Sequence, residues 1–186
     1  MYWRVLSLLC IVLAACSDLQ RPEQLERIEA MENRLETARE SLDAISDSLL
    51  FSVYKFGEDM KMKMELYAPD TLSLKDALRL DRYGMAGKSS LFVLDERYKL
   101  QTLLPQYDED LRKLKQDIES GSGQRHRYEE FLRFEEEKVE AFFARTEACE
   151  RQAQKVMDVN DELRAVLEAE LNERMSEVSV QRIERQ

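Results

Sequence analysis

Turn formers are nearly missing from this sequence. Five glycines and three prolines in 186 residues supply few of the tight turns that a sheet-rich chain needs, and Glu, Leu, Arg, Lys and Ala, the good helix formers, dominate instead. Basic charge is also scarce: 28 Lys and Arg stand against 38 Asp and Glu, a net charge of −10. Phosphate binding requires a basic footprint, so nucleic acid is excluded as a partner, and electrostatic adhesion to anionic lipid is disfavoured for the same reason. No apolar run is long enough to cross a bilayer, which takes about 20 helical residues. The longest is Val5 to Ala15, eleven apolar or small residues. A phosphate-cradling glycine loop, a zinc-ligand spacing and a nucleophile elbow are all absent, so neither catalysis nor a cofactor is expected, and no small-molecule substrate is evident.

The apolar run has the layout of an export signal, with Arg4 in front, an apolar middle and small residues at its end. It closes on Leu13-Ala14-Ala15-Cys16, which resembles the lipobox of bacterial lipoproteins. That resemblance implies a diacylglycerol on the Cys16 thiol and cleavage by signal peptidase II just before it, so that residues 1–15 are the signal peptide and Cys16 is the acylated first residue of the mature chain. In that family an Asp directly after the cysteine retains the protein in the inner membrane. Ser17 holds that position here, so the resemblance implies the outer membrane of a Gram-negative bacterium, with palmitate-type chains as the membrane contact. Two or more acyl chains make such anchoring stable, at about 0.8 kcal/mol per buried CH₂. It also implies that Cys10 leaves with the leader and that Cys149 has no disulfide partner within the chain. The body behind the leader resembles a helical envelope lipoprotein.

The mature chain, 16–186, reads as a single extended α-helical domain. Ile28, Leu35, Leu42, Leu49 and Phe56 recur every seventh position, with Met31, Ala38, Ile45 and Ser52 in the intervening slots. This is a coiled-coil seam and predicts a long helix over about 19–66, eased at Gly57. "APDT" at 68–71 stops it, and Ser73 with Asp76 forms a capping box for short helices over about 73–119, the first ended by Gly84 as a C′ residue and a later one bent at Pro105. "ESGSGQ" suits an αα-hairpin turn before a second long helix over about 124–183. Its seam runs through Val139, Thr146, Ala153, Asn160 and Leu167, alternating with Phe142, Cys149, Val156 and Leu163. The fold class is therefore all-α: long helices with coiled-coil character in an antiparallel hairpin or bundle, with a short-helix central segment. The seams pair within one chain or between chains.

Four places carry residue types that bear on function. Met60 and Met64 share a helix face in "MKMKM" and supply soft thioethers of the kind that suit Cu(I), although core filling is the preferred reading and a copper protein the distant alternative. Arg125, His126 and Arg127 form a basic tip past the glycine turn, either a docking point for an acidic partner or a solvated hairpin end whose charges pair with Glu129 and Glu130. Cys149 lies on the seam as a small apolar residue. Asn160, polar in an apolar column, is expected to fix helix register. Together these readings favour a lipid-anchored scaffold or protein-interaction module whose partner is another envelope protein or a second copy; the alternative is a periplasmic holdase chaperone that grips client proteins.

Overall fold

A computed structural model describes residues 2–67 and 72–184, with side chains for 19–67 and 72–178. The fold is all-α. Four helices follow one another: α1 (Tyr2–Ala44), α2 (Asp47–Tyr67), α3 (Leu74–Ser120) and α4 (Tyr128–Glu184), with one 3₁₀ turn at Arg125–Arg127. The described residues contain no strand. The segment "APDT" lies outside the described residues.

The chain divides into two compact units. The first combines Met1–Ser41 with Leu100–Thr146, the second Leu42–Lys99 with Glu147–Gln186. Each is a three-helix bundle. In the first, α1 and α4 run parallel, as shown by Arg27 bonded to Glu136 and Arg34 to Glu140, while α3 runs opposite to α1, with Lys115 on Glu32 and Arg39 on Asp108. Ile28, Leu35, Leu111, Ile118, Leu132 and Phe142 fill its centre. In the second, α2 and α4 flank an oppositely directed α3 around Leu50, Val53, Met64, Val93, Val156 and Leu167. The seam residues of both long helices, from Ile28 to Leu42 and from Val139 to Leu171, are buried against the chain's own helices, except the half-buried Asn160.

The central segment departs most from expectation. In place of several short helices, α3 is one helix of 47 residues that passes through both Gly84 and Pro105. Ser73 opens it as read from the sequence: its Oγ accepts the Asp76 N–H at 3.2 Å and its carbonyl accepts the Ala77 N–H at 3.0 Å. Gly84 does not end it. A C′ glycine adopts positive φ, and among the described residues only Gly121 and Gly123 do so. "YGMAG" is instead a close crossing of α2. A Cβ on Gly87 would stand 3.4 Å from the Tyr54 Cα, and one on Gly57 would stand 3.5 Å from the Tyr83 ring and 3.9 Å from the Gly84 Cα. Small residues tolerated in a helix interior for backbone approach thus give the same local composition as a helix stop.

The first long helix is also different: it breaks after Ala44, and α2 starts anew at Asp47. Ser46 caps the new helix, its carbonyl accepting the Leu50 N–H at 3.1 Å and its Oγ receiving the Leu49 N–H at 3.4 Å, while Asp47 places a negative charge on the first turn. The break shifts the buried stripe by one position. Leu50, Val53, Gly57, Met60 and Met64 are buried, whereas Leu49, which continues the earlier heptad, is 52% exposed. Gly57 therefore marks a crossing rather than a bend.

Arg97 holds the break together. Its Nε donates to the Leu42 carbonyl at 2.6 Å, adding to the 3.3 Å bond that this carbonyl accepts from the Ile45 N–H at the end of α1, and its Nη1 pairs with the Asp47 carboxylate at 2.7 Å. The Asp47 side chain is largely exposed, so the pair itself contributes little and the bond to the buried carbonyl matters more. Arg97→Met should lower the unfolding free energy by about 2 kcal/mol, measured as a shifted urea midpoint at unchanged slope; a midpoint equal to wild type would contradict this role.

At the far end of α3, the expected hairpin turn is present in full. The Ser122 N–H bonds to the Asp117 carbonyl at 3.0 Å and the Gly121 N–H to the Ile118 carbonyl at 3.2 Å, a Schellman closure with Gly121 at φ 62°. The buried Tyr128 hydroxyl donates to the same Asp117 carbonyl at 2.7 Å, tying the start of α4 to the turn.

Candidate functional site

Cys16 lies outside the residues whose side chains are described. Met60 and Met64 do share a face, as their spacing predicts, and both are buried in the core of the second unit, whereas Met62 is exposed. Cys149 is buried as well. Its thiol donates to the Val93 carbonyl at 3.8 Å, and burial pushes its pKa up, away from the reactive thiolate. Asn160 proves to be the partner of a core hydroxyl. The fully buried Tyr83 donates to its Oδ1 at 2.7 Å, and burial pushes the phenol up to about 12. A polar residue in that column is therefore required by α3 within the same chain.

The basic tip behaves as a solvated hairpin end. Arg127 forks onto Glu130 at 2.9 and 3.0 Å and lies over the Phe131 ring at 4.7 Å; Arg125 turns back onto the Gly121 carbonyl; His126 is exposed. Glu129, the other expected partner, is taken by Arg27 of α1 at 2.8 Å.

Two features of the second unit were not foreseen. The first is a groove between α2 and α3 that encloses about 300 Å³. It is lined by the buried Met64, by Leu80 and by the backbones of Gly57 and Gly84, with Met85, 62% exposed, at its edge. A Cβ on Gly84 would meet nothing within 4 Å, so the groove is open directly above it. The rim carries Glu58, Lys61 and Glu65 from α2 and Asp81 and Lys88 from α3. With Gly57 opposite Gly84 in antiparallel helices, Lys61 stands across from Asp81, yet among the described residues none of these five charges has an ion-pair partner. On the α4 side of α3 the charges are stitched: Arg82 forks onto Glu162 at 2.7 and 2.6 Å, and Arg79 bonds Glu170.

The second feature is a carboxyl pair, Asp76 and Glu170, set between Arg79 and Arg174. Arg174 reaches Asp76 at 3.2 Å and Arg79 reaches it at 3.6 Å, and Arg79 also bonds the Glu170 Oε1. The remaining oxygen, Oε2 of Glu170, is buried with no cationic or neutral donor. The two carboxyls are driven apart. Hydrogen bonding by Ser73 is the main reason Asp76 lies below its ordinary 3.8, while burial and then the Asp76 charge lift Glu170 above its ordinary 4.5. Protonation at Oε2 would turn that unpaired acceptor into a donor facing Asp76. Neither member was visible in the sequence: Asp76 read only as a cap, and Glu170 is one glutamate among many on α4.

Among the described residues, no group of three or more His, Cys, Asp or Glu side chains is placed to hold a metal ion, and no helix is long and apolar enough to cross a membrane. No protein-family model, curated protein or solved structure matches the chain.

Because the Glu170 pKa is raised on folding, its protonated form is the one the fold favours; that contribution is complete below pH 4.5 and fades as pH rises through the folded value. Glu170→Gln keeps an acceptor for Arg79 and supplies a permanent donor to Asp76. At pH 7 its denaturant midpoint should equal or exceed that of wild type, and the gap should close as pH falls below 4.5. A variant markedly less stable than wild type at pH 7 would show that the ionised form is the one the fold needs.

Proposed function

We propose that this chain is a lipid-tethered interaction protein of the bacterial cell envelope, anchored through Cys16 in the outer membrane and presenting its helical body to a protein partner, without catalysis. The observation that carries this reading is the run from Val5 to Ala15 ending at Leu13-Ala14-Ala15-Cys16. Support comes from the way apolar surface is distributed. The seams are consumed in the two bundles, while among the described residues nothing covers the α2–α3 groove or pairs with the charges on its rim. A monomer has no internal use for such a surface.

Expression of wild type and Cys16→Ser with labelled palmitate tests the anchor. Wild type should carry label, sediment with outer membranes and yield a mature amino terminus at an acylated Cys16 by mass spectrometry. Cys16→Ser should lose the label and keep its leader. Label retained in Cys16→Ser would remove the basis for the reading.

Exposed Met62, Leu66, Leu74 and Leu78 favour a second reading, a periplasmic holdase that covers client segments. Light scattering of an aggregating client protein decides between the two. A holdase suppresses aggregation at stoichiometric ratios, whereas the interaction protein should leave the aggregation curve unchanged.

A further inference from the structure

We propose that the α2–α3 groove is the docking site for a basic amphipathic helix of a partner protein; the inference rests on the interaction-protein reading above and names the partner's chemistry. Three observations fix the occupant. The first is shape. Two antiparallel helices crossing at Gly57 and Gly84 leave a trough between their ridges, into which a third helix packs by inserting one large side chain. The roughly 300 Å³ enclosed above Gly84 has room for such an apolar knob, and the Met64 and Met85 thioethers beside it adapt to its outline.

The second observation is charge. Glu58 and Glu65 stand seven residues, or two helical turns, apart on the α2 rim, and Asp81 faces them from α3. An arginine or lysine one turn before the knob and another one turn after it match Glu58 and Glu65. With Lys61 and Lys88 as its only cations among the described residues, the rim carries an acidic excess, on a chain whose net charge is −10. That field attracts a cationic helix and repels an anionic membrane surface.

The third observation is Gly84 itself. Glycine in a helix interior costs about 0.5–1 kcal/mol relative to alanine, and at this position no neighbour within 4 Å requires the missing Cβ. The space it leaves opens directly into the trough.

The test uses the mature chain and a synthetic helical peptide of about 15 residues, with one central leucine, an arginine one turn to either side and an Ala/Gln background. A second peptide carries glutamates in place of the arginines. By fluorescence anisotropy at low salt, the arginine peptide should bind about tenfold or more tightly than the glutamate peptide, and Gly84→Leu should weaken it about tenfold or more by filling the trough. Gly84→Leu should keep or raise the melting temperature. Should that variant fail to fold, Glu58→Gln combined with Glu65→Gln, at two positions without ion-pair partners among the described residues, should abolish the preference for the arginine peptide. Equal affinity for both peptides, no binding of either at millimolar concentration, or an undiminished affinity in Gly84→Leu would overturn the proposal. So would a wild-type dimer in sedimentation that Gly84→Leu dissociates, because the groove would then be covered by a second copy. Acylation at Cys16 is read independently by mass, so a failed groove leaves the anchor standing, and a failed anchor leaves the groove result intact.

Discussion

Carbonyls at a helix end need donors from outside the helix ladder, and where α1 gives way to α2 the Leu42 carbonyl takes two, the Ile45 N–H at 3.3 Å and the Arg97 Nε at 2.6 Å. One guanidinium bonds the Leu42 carbonyl and meets the carboxylate that opens the next helix. The consequence reaches beyond the junction. An uninterrupted helix would carry the heptad column from Leu42 to Leu49 and Phe56; the break re-phases the chain, so that Leu50, Val53 and Gly57 turn inward instead. Gly57 can then meet Gly84, Tyr54 can lie against Gly87, and the trough above Gly84 exists at all. A residue on α3 is thus bonded across the junction at which the buried face of α2 is re-phased.

The polar groups inside the second bundle follow one rule with one exception. Tyr83 is matched by Asn160, the buried Ser90 hydroxyl by the Gly87 carbonyl at 2.7 Å, and the Cys149 thiol by the Val93 carbonyl. Such matching is what allows a hydroxyl or thiol to sit in an apolar interior without a desolvation penalty. The exception is the Glu170 oxygen that faces Asp76. Two carboxyls side by side raise each other's affinity for a proton, and here Ser73 and Arg174 hold Asp76 low while burial and the Asp76 charge push Glu170 up.

The groove and the stitched side of α3 differ in how their charges are used. On the α4 side, Arg79, Arg82 and Arg174 are committed to carboxylates of the partner helix. On the α2 side, Lys61 faces Asp81 across the open trough, and among the described residues neither has an ion-pair partner. Exposed pairs contribute little to stability, so leaving them apart costs the fold little and keeps their fields available to another molecule.

Helix content, the two seams, the capping box at Ser73 and the hairpin turn at Gly121 were determined by the sequence itself, since each rests on periodicity or on residues a few positions apart. The leader motif is equally local. The break at Ser46 had a signal too: Ser-Asp-Ser at 46–48 is N-cap chemistry, masked because Ile45 and Ser52 still fit the heptad. Only the tertiary structure decided the rest. "YGMAGK" carries the same glycines whether a helix stops or another helix crosses it, and the choice depends on what lies thirty residues away on α2. Likewise, the groove, the Tyr83–Asn160 bond and the Asp76–Glu170 pair join residues from different helices, and burial, which sets their chemistry, is a property of the packed chain rather than of any stretch of it.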